Sequence, residues 1–423
     1  CLNSEACLGA TPGDDSHLPS GQCNHDKGYE GPLCTGCREG YASSGRFECS
    51  ECPPLDVNVM RMLGLTVLVF GFVGVLVLLV RRSGGSNGGG LAMGERCGLV
   101  VYLRIFVNYM QLVSMTSAVD MGWPGQFKDF FFIQDKVASL GNYIHALDCL
   151  CQDFGLKLEF INLWLMNLLP VIFGILALVF WGLFWLFRGR EGSIRIELIT
   201  TIVVSFFLIY PSIIKHNFSF FSCQDLGDDT LHLVSDMSVE CWSVEHFGWI
   251  FGIAIPGIVV WVVLTPLLAF AYILKHKHQI EVSHIGAELG FLYCGYGKNF
   301  LYWEAFTLLR KVAIVCLVVV LGATEHHTIL ALLCFAILAL SYYFQIICKP
   351  YIERDMNSLE LLSIIVSLMT LYCGLYFASD DLSPASEWIL FCFLMSCNLY
   401  FVIFWLKKVC GKLRRILLKA CPQ

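Results

Sequence analysis

The stretch LGLTVLVFGFVGVLVLLV at residues 63–80 contains no charged residue, and NLLPVIFGILALVFWGLFWLF at residues 167–187 has the same character. The hydrocarbon core of a bilayer requires about 20 such residues in one α-helix. Similar stretches recur along the chain, and they give predicted spans at 59–80, 97–118, 160–186, 198–214, 247–274, 302–323, 327–347, 358–377 and 386–406. The sequence therefore predicts an all-α polytopic membrane protein with about nine transmembrane helices.

The overall composition agrees with burial in lipid. Of the 423 residues, 57% are hydrophobic and only 15% are charged, whereas soluble domains carry about 25% charged residues. The net charge is −6, and there is no basic footprint of the kind that binds nucleic acid. We therefore expect the lipid bilayer, and no nucleic acid, as a partner. Because the chain begins at Cys1 rather than Met, we also expect further sequence before it.

The first 54 residues differ from the rest because they are rich in cysteine. Seven of the 21 cysteines lie there: Cys1, Cys7, Cys23, Cys34, Cys37, Cys49 and Cys52. This density indicates an oxidising compartment and disulfide bonding, with zinc binding by the last four cysteines as the alternative on spacing. We predict an extracytoplasmic module at 1–54, stabilised by bridges rather than by a core, a helix bundle at 55–410 and a basic cytoplasmic tail at 411–423.

The pattern of glycine and cysteine identifies the type of module. Residues 23–53 read CNHDKGYEGPLCTGCREGYASSGRFECSECP. This segment resembles EGF-like and ephrin-receptor-like cysteine repeats. The resemblance implies a surface spacer or an adhesion element rather than a reaction.

The C-terminal half carries a second resemblance. It reads GYGKNFLYWEAFTLLRKVAIVCLVVVL at 295–321 and SYYFQIICKPYIERDMNSLELLSIIVSLMTLYCGLYF at 341–377. It resembles the multi-pass C-terminal region of large surface proteins of algae and other protists, whose bundle is similar to TRP-type cation channels. The resemblance implies a plasma or ciliary membrane location. The chain departs from the TRP pattern, since a TRP core has six spans and the last outer loops here are too short for a pore helix.

The distribution of cations predicts the orientation. With the cysteine-rich module outside, nine spans place the C-terminus in the cytoplasm. The predicted inner segments then carry 19 Lys and Arg residues and the outer segments eight, as the positive-inside rule requires. In one predicted outer loop, Asn217-Phe218-Ser219 is an N-glycosylation sequon, and Cys223 and Cys241 could bridge that loop. In the other long outer loop, Cys149 and Cys151 are too close for an easy mutual bridge, so distant partners are favoured.

Polar residues inside two predicted spans are candidate functional residues. Arg104, Asn108 and Gln111 share one helical face, which would line a polar pathway or fix helix packing by hydrogen bonds. A second set consists of Glu304, Arg310 and Lys311. These three would form an inner gate or a lipid-headgroup site, or would simply extend to the headgroup layer.

Acidic residues dominate the later outer loops. The candidate rim consists of Asp225, Asp228, Asp229, Glu325, Asp380 and Asp381. Such a rim would concentrate cations at a pore mouth, although depletion of outer cations also leaves acids behind. These carboxylates could bind Ca²⁺, but they lack EF-hand spacing. Apart from this and an N-glycan, we expect no cofactor.

The leading functional hypothesis is a surface membrane protein whose channel-like bundle conducts or senses cations. Proline residues within the spans support it, since broken helices often line transport pathways. The first alternative is a receptor or adhesion anchor for extracellular matrix or partner proteins, which predicts a dry, closed core. A transporter or lipid scramblase is a weaker alternative. No nucleotide-binding, metalloprotease or hydrolase motif is present, so we expect no enzyme. Extracellular or membrane protein partners are expected, and oligomerisation stays open.

Overall fold

A computed structural model describes most of the chain, and its described residues are mostly helical. The described residues are 6, 23–31, 34–45, 48–84, 93–119, 121, 123, 130, 149, 158–187, 194–225, 230–277, 288–322, 327–378 and 383–420. The helices are α1 (Leu55–Gly84), α2 (Met93–Ser117), α3 (Leu158–Phe187), α4 (Ile194–Ser219), α5 (Val244–Lys275), α6 (Gly290–Tyr293), α7 (Trp303–Leu321), α8 (His327–Cys348), α9 (Arg354–Phe377) and α10 (Pro384–Ala420).

Every predicted span lies mainly on one of these helices. Within the described residues, eight helices are long and apolar enough to cross a membrane: α1, α2, α3, α4, α5, α8, α9 and α10. The exception is α7, which covers most of the predicted span 302–323 but carries three charged residues, Glu304, Arg310 and Lys311, in its 19 residues. Where the sequence predicts nine spans, the described residues therefore contain eight helices of membrane-spanning length and composition, while α7 is a charged helix of different character.

The helices differ in how much of their surface faces protein. Most residues of α2, α4 and α9 are buried, whereas α3 and α10 bury few of theirs. α2 packs against α1, α7, α9 and α10, and α4 packs against α1, α3 and α7. Large apolar side chains such as Val67, Phe180 and Leu267 are more than half exposed on the outer helices. An apolar outer surface around a core that contains polar side chains is the arrangement expected of a helix bundle in lipid.

α5 is irregular because of its two prolines. Two π-helical segments, Ile250–Ala254 and Ile258–Leu264, are followed closely by Pro256 and Pro266. Proline has no N–H to donate within the helix, and π-helical turns are one local adjustment to its insertion. The Thr265 hydroxyl donates to a backbone carbonyl five residues earlier, at 2.8 Å. The same carbonyl, that of Val260, also accepts from the Thr265 N–H. The Val262 carbonyl, four residues before Pro266, accepts instead from the Tyr210 hydroxyl of α4 at 3.0 Å.

Two asparagines form a polar contact between α3 and α4. The Asn167 amide donates to Asn217 Oδ1 at 3.0 Å, and the Asn217 amide donates to the Ile213 carbonyl at 2.8 Å. Asn217 is fully buried, because α4 continues to Ser219 rather than ending at residue 214 as the sequence predicted. Glycosylation at Asn217 does not fit this position, since a glycan needs a side chain that reaches solvent.

The cysteine-rich module consists of short antiparallel strands joined by disulfides. β1 (Tyr29–Glu30) pairs with β2 (Gly36–Cys37), and β3 (Tyr41–Gly45) pairs with β4 (Glu48–Glu51). Bridges join Cys23 to Cys34 and Cys37 to Cys49, and Cys52 is joined to Cys149. Sulfur atoms joined in disulfides cannot serve as thiolate ligands, so the zinc alternative does not fit this pairing. Cys7 and Cys151 lie outside the described residues.

A second small sheet connects α4 to α5. It contains β5 (Cys223–Asp225), β6 (Leu231–Leu233) and β7 (Asp236–Glu240) in antiparallel order. The predicted Cys223–Cys241 bridge closes this segment. The sheet therefore forms a disulfide-stabilised loop on the same side of the bundle as the beginning of α5.

We expect Gly257→Ala to destabilise the protein. A Cβ atom at Gly257 would overlap the Oδ1 atoms of both Asn167 and Asn217. Overpacking of this kind costs about 1–3 kcal/mol, so the melting temperature in detergent should fall. Gly252→Ala on the same helix is the matched control, since apart from its chain neighbours and its own helix backbone no described atom lies within 4 Å of the position that its Cβ would take. Equal melting temperatures for the two variants would contradict this packing of α3, α4 and α5.

Candidate functional site

The polar face of α2 points into the protein. Arg104, Asn108 and Gln111 follow one another at helical spacing, and their exposed fractions are 0%, 1% and 3%. A charged side chain at such depth is costly unless protein groups replace its water shell. The contacts of each side chain show that this replacement is nearly complete.

Arg104 binds the end of the short helix α6. Its Nη1 atom donates to the carbonyls of Phe291 and Leu292 at 2.6 and 3.1 Å, and its Nη2 atom donates to the Cys294 carbonyl at 3.0 Å. The last carbonyls of a helix have no partner within the helix, so they are available acceptors. The guanidinium also lies 4.6 Å from the ring centre of Tyr296. One side chain of α2 therefore holds residues 291–296 against the bundle.

Glu304 of α7 supplies the negative charge that faces Arg104. Its Oε2 atom lies 3.2 Å from Arg104 Nε, and both side chains are fully buried. This contact is an ion pair by distance, although Nε does not meet the angle of a hydrogen bond. The Tyr296 hydroxyl donates to the same oxygen at 2.8 Å, and the Asn108 amide approaches Oε1 at 3.5 Å. The carboxylate thus joins α2, α7 and the segment between α6 and α7.

Lys311 of α7 is bound by the remaining polar groups of α2. Its ammonium donates to Asn108 Oδ1 at 2.6 Å and to Gln111 Oε1 at 2.7 Å, and it lies 4.3 Å from the ring centre of Phe207 on α4. The Gln111 amide in turn donates to the Leu208 carbonyl at 3.3 Å. These contacts extend the cluster from α2 and α7 to α4.

A second buried ion pair connects α7 to α9. Arg310 Nη2 lies 3.3 Å from Glu360 Oε1, and neither side chain is more than 4% exposed. Arg310 and Lys311 are neighbours in sequence but point to different helices. Charged contacts therefore attach α7 to α2 on one side and to α9 on the other. We call Arg104, Asn108, Gln111, Tyr296, Glu304, Arg310, Lys311 and Glu360 the core polar network.

Two tyrosines attach this network to the connection between α8 and α9. The Tyr296 and Tyr351 hydroxyls lie 3.2 Å apart, and the Gly297 amide donates to the Pro350 carbonyl at 2.8 Å. Burial raises the pKa of both phenols above the ordinary value, despite the nearby Arg104 guanidinium. Both hydroxyls therefore keep their protons and can donate hydrogen bonds at physiological pH.

The structure joins two sets of residues that the sequence predicted as separate sites. The proposed polar pathway on α2 and the proposed inner gate on α7 bind each other. Glu304, Arg310 and Lys311 are buried, so they do not reach lipid headgroups as one sequence interpretation required. Sequence reasoning missed Tyr296, Tyr351 and Glu360. Glu360 offered a signal, because it is a lone acid inside the predicted span 358–377.

Most of the predicted acidic rim lies outside the described residues. Asp225 is at the exposed end of β5, while Asp228, Asp229, Glu325, Asp380 and Asp381 are not described. In the part of the chain that the structure describes, no group of three or more His, Cys, Asp or Glu residues is arranged to hold a metal ion. The rim and its Ca²⁺ binding stay predictions.

Comparison with known proteins gives one distant similarity. The chain is 21% identical to Cysteine repeat modular protein A of Toxoplasma gondii over 452 aligned residues, which include 88% of this chain and 14% of that protein. No family model and no solved structure matches the chain. This similarity and the disulfide-rich module support the resemblance to cysteine-rich protist proteins. The TRP-like part of the resemblance stays a prediction.

We expect Glu304→Gln to destabilise the bundle strongly. Loss of this negative charge leaves the buried Arg104 without its ion-pair partner, and breaking a buried pair in this way costs about 3–5 kcal/mol. Asp355→Asn is the control, because its ion pair with Lys408 is partly exposed to solvent, at 29% for Lys408 and 50% for Asp355, and exposed pairs contribute about 0–1 kcal/mol. Thermal unfolding in detergent measures both variants. A wild-type melting temperature for Glu304→Gln would show that the network is not stabilising.

The two raised tyrosine pKa values predict a loss of stability at alkaline pH. The unfolded phenols ionise near pH 10.0, whereas the folded ones keep their protons to higher pH. Their contribution is therefore complete below about pH 10 and declines as pH rises toward the folded pKa. Tyr296→Phe with Tyr351→Phe should reduce the slope of unfolding free energy against pH above 10. Tyr302→Phe, at a half-exposed tyrosine outside the core polar network, is the control variant. An unchanged slope in the double variant would contradict the prediction.

Proposed function

We propose that this protein is a multi-pass surface receptor or anchor, in which the cysteine-rich module binds an extracellular or membrane protein partner and the bundle is its membrane base. The observation that carries the proposal is the closed core at the place where a conduction pathway was predicted. Arg104, Asn108 and Gln111 are bound to side chains and carbonyls of other segments. A dry, packed core is what the anchor alternative requires.

The attachment of the module to the bundle supports the same function. Cys52 lies three residues before the start of α1, and its bridge to Cys149 spans 97 residues of sequence. The module is therefore joined to the bundle through the chain entering α1 and through the segment between α2 and α3. A double attachment restricts the movement of the module and passes a pull on it to two points of the bundle.

The cation-conducting function receives less support from the described residues. It needs polar side chains that face water along a path, but the polar face of α2 contacts α4, α6 and α7. Glycine and proline irregularity is present in α5, yet the Gly257 region is filled by two asparagine side chains. Cation conduction is the leading hypothesis from the sequence alone. With the contacts of these side chains taken into account, we propose it only as the alternative to the receptor or anchor function.

We propose that α7 crosses the membrane together with the eight membrane-length helices, which gives nine crossings. The module then lies outside the cell and the C-terminus in the cytoplasm, in the plasma or a ciliary membrane. The module's disulfides and the 19 inner cations against eight outer ones support it. One observation opposes it: Cys294, on the proposed cytoplasmic side, is also disulfide-bonded. We give more weight to the cation distribution than to this disulfide, because the distribution reflects the charges of many loops and Cys294 is a single residue. We assign the chain no catalytic reaction.

The chain corresponds to only 14% of the Toxoplasma protein's length. The name of that protein describes repeated cysteine-containing modules, and a cysteine-rich module begins this chain. We therefore propose that residues 1–54 act as the membrane-proximal part of a surface assembly, at the point where it enters the bundle.

Cation flux in proteoliposomes separates an anchor from a channel. We expect the wild-type chain to give the same flux as empty vesicles under varied voltage, Ca²⁺ and membrane tension. A Cys52→Ser variant, in which the module is attached only through α1, tests whether the module holds a gate closed. Flux above the empty-vesicle level from either protein would contradict the anchor proposal.

Binding by the module is measured with the full chain in nanodiscs. We expect these nanodiscs to bind to intact cell surfaces or matrix of the source organism more than empty nanodiscs do. The control is Cys37→Ser with Cys49→Ser, which removes one bridge inside the module and leaves the bundle unchanged. Equal binding by the control would show that the folded module is not the binding element.

A further inference from the structure

A cavity of about 400 Å³ lies at the end of the bundle that our proposed orientation places inside, and no residue of the core polar network lines it. It is formed by Tyr102 of α2, the beginning of α9 and residues 404–415 of α10. Its lining residues are Tyr102, Glu353, Asp355, Phe404, Lys407, Lys408, Gly411, Lys412 and Arg415. A volume of this size is in the range of small-molecule sites, which is about 300–1,000 Å³.

The lining of the cavity is mainly cationic. Four cations face two carboxylates, which gives a net charge of +2. Phe404, Lys408, Gly411 and Arg415 recur at helical spacing, so one face of α10 presents them together. This face lies at the C-terminal end of the 31-residue candidate membrane span Ala385–Arg415, where a membrane-spanning helix would reach the headgroup layer.

The protein itself neutralises only half of these cations. Lys408 lies 2.8 Å from Asp355, and Lys412 lies 3.3 Å from Glu353. Among the described residues, the exposed side chains of Lys407 and Arg415 form no ion pair. The two acids therefore orient two lysines, while one lysine and one arginine at the rim keep their charge available.

The close packing of Lys412 shows that the cavity has a defined wall. Lys412 is almost fully buried, and its side chain lies across Gly98 of α2, where a Cβ atom would come within 2.6 Å of it. The Tyr102 hydroxyl lies 3.5 Å from Glu353, so the same carboxylate contacts both α2 and α10. A wall fixed in this way positions the rim cations relative to each other.

We propose that this cavity binds a phosphate group, with Lys407 and Arg415 as its principal ligands and Lys408 and Lys412 as the supporting charges. Arginine and lysine are the side chains that bind phosphate by charge-assisted hydrogen bonds. The position at the headgroup layer favours the phosphorylated headgroup of an anionic lipid, and a soluble phosphate ester carries the same chemistry. The site requires neither a particular function of the cysteine-rich module nor conduction through the bundle.

The test uses the full chain in phosphatidylcholine nanodiscs and two probes. One probe is inositol trisphosphate, and the other is a short-chain phosphatidylinositol bisphosphate. Each Lys or Arg near a charged membrane surface changes affinity about fivefold, so Lys407→Ala with Arg415→Ala should weaken binding about thirtyfold. The matched control is Arg414→Ala with Lys275→Ala, which removes the same charge from exposed positions outside the cavity. We expect less than a twofold change for the control.

The outcomes separate the sources and can overturn the proposal. Binding of both probes with the expected variant effect supports a phosphate site that is open to soluble ligands. Binding of the lipid alone, with the same variant effect, supports a lipid site. Absence of binding, or equal weakening by both double variants, overturns the proposal, because a diffuse basic surface would respond equally. Wild-type melting temperatures for the variants show that folding is intact. None of these results depends on flux or module binding, so the receptor or anchor proposal is tested separately.

Discussion

The fold depends on the pairing of Arg104 with Glu304 at the centre of the bundle. Both side chains are fully excluded from solvent, so water cannot solvate either charge if the other is removed. Isolated charges in this position would cost several kcal/mol each, and the bundle forms only because the charges and the surrounding amides and phenols satisfy each other. The pair therefore dictates which faces of α2 and α7 meet.

This pairing also explains the unusual character of α7. A helix with three charges among 19 residues is a poor transmembrane segment by itself, but each charge is directed to a protein neighbour. Glu304 and Lys311 face α2, and Arg310 faces Glu360 on α9. α7 is thus stable in the bundle only after α2 and α9 are present. α3 has no charged residue after Glu159 in its first turn, so it does not require a charged partner on another helix.

The sequence was sufficient for the helices but not for the network. Apolar length alone predicts each span, because the thickness of a bilayer is fixed. The sequence also indicates Arg104 and Lys311 as candidate functional residues, but it leaves both a functional and a purely structural interpretation open for each. Helical spacing shows which residues share a face, but it does not show which helix that face contacts. Asn217 illustrates the same limit. Its sequon is a local pattern, whereas its burial against Asn167 depends on how α3 packs on α4.

The two ends of the bundle are organised by different physical means. At the end that carries the module, bridges such as Cys52–Cys149 hold segments that have little apolar core of their own. Toward the opposite end, Arg104 and Tyr296 hold residues 291–297 by hydrogen bonds to carbonyls and carboxylates. In the anchor function that we propose, a load on the module would enter at covalent links and would meet a core held by paired charges. Sliding of α7 past α2 would separate these buried charges, and we infer that the arrangement suits the proposed attachment better than the opening of a path.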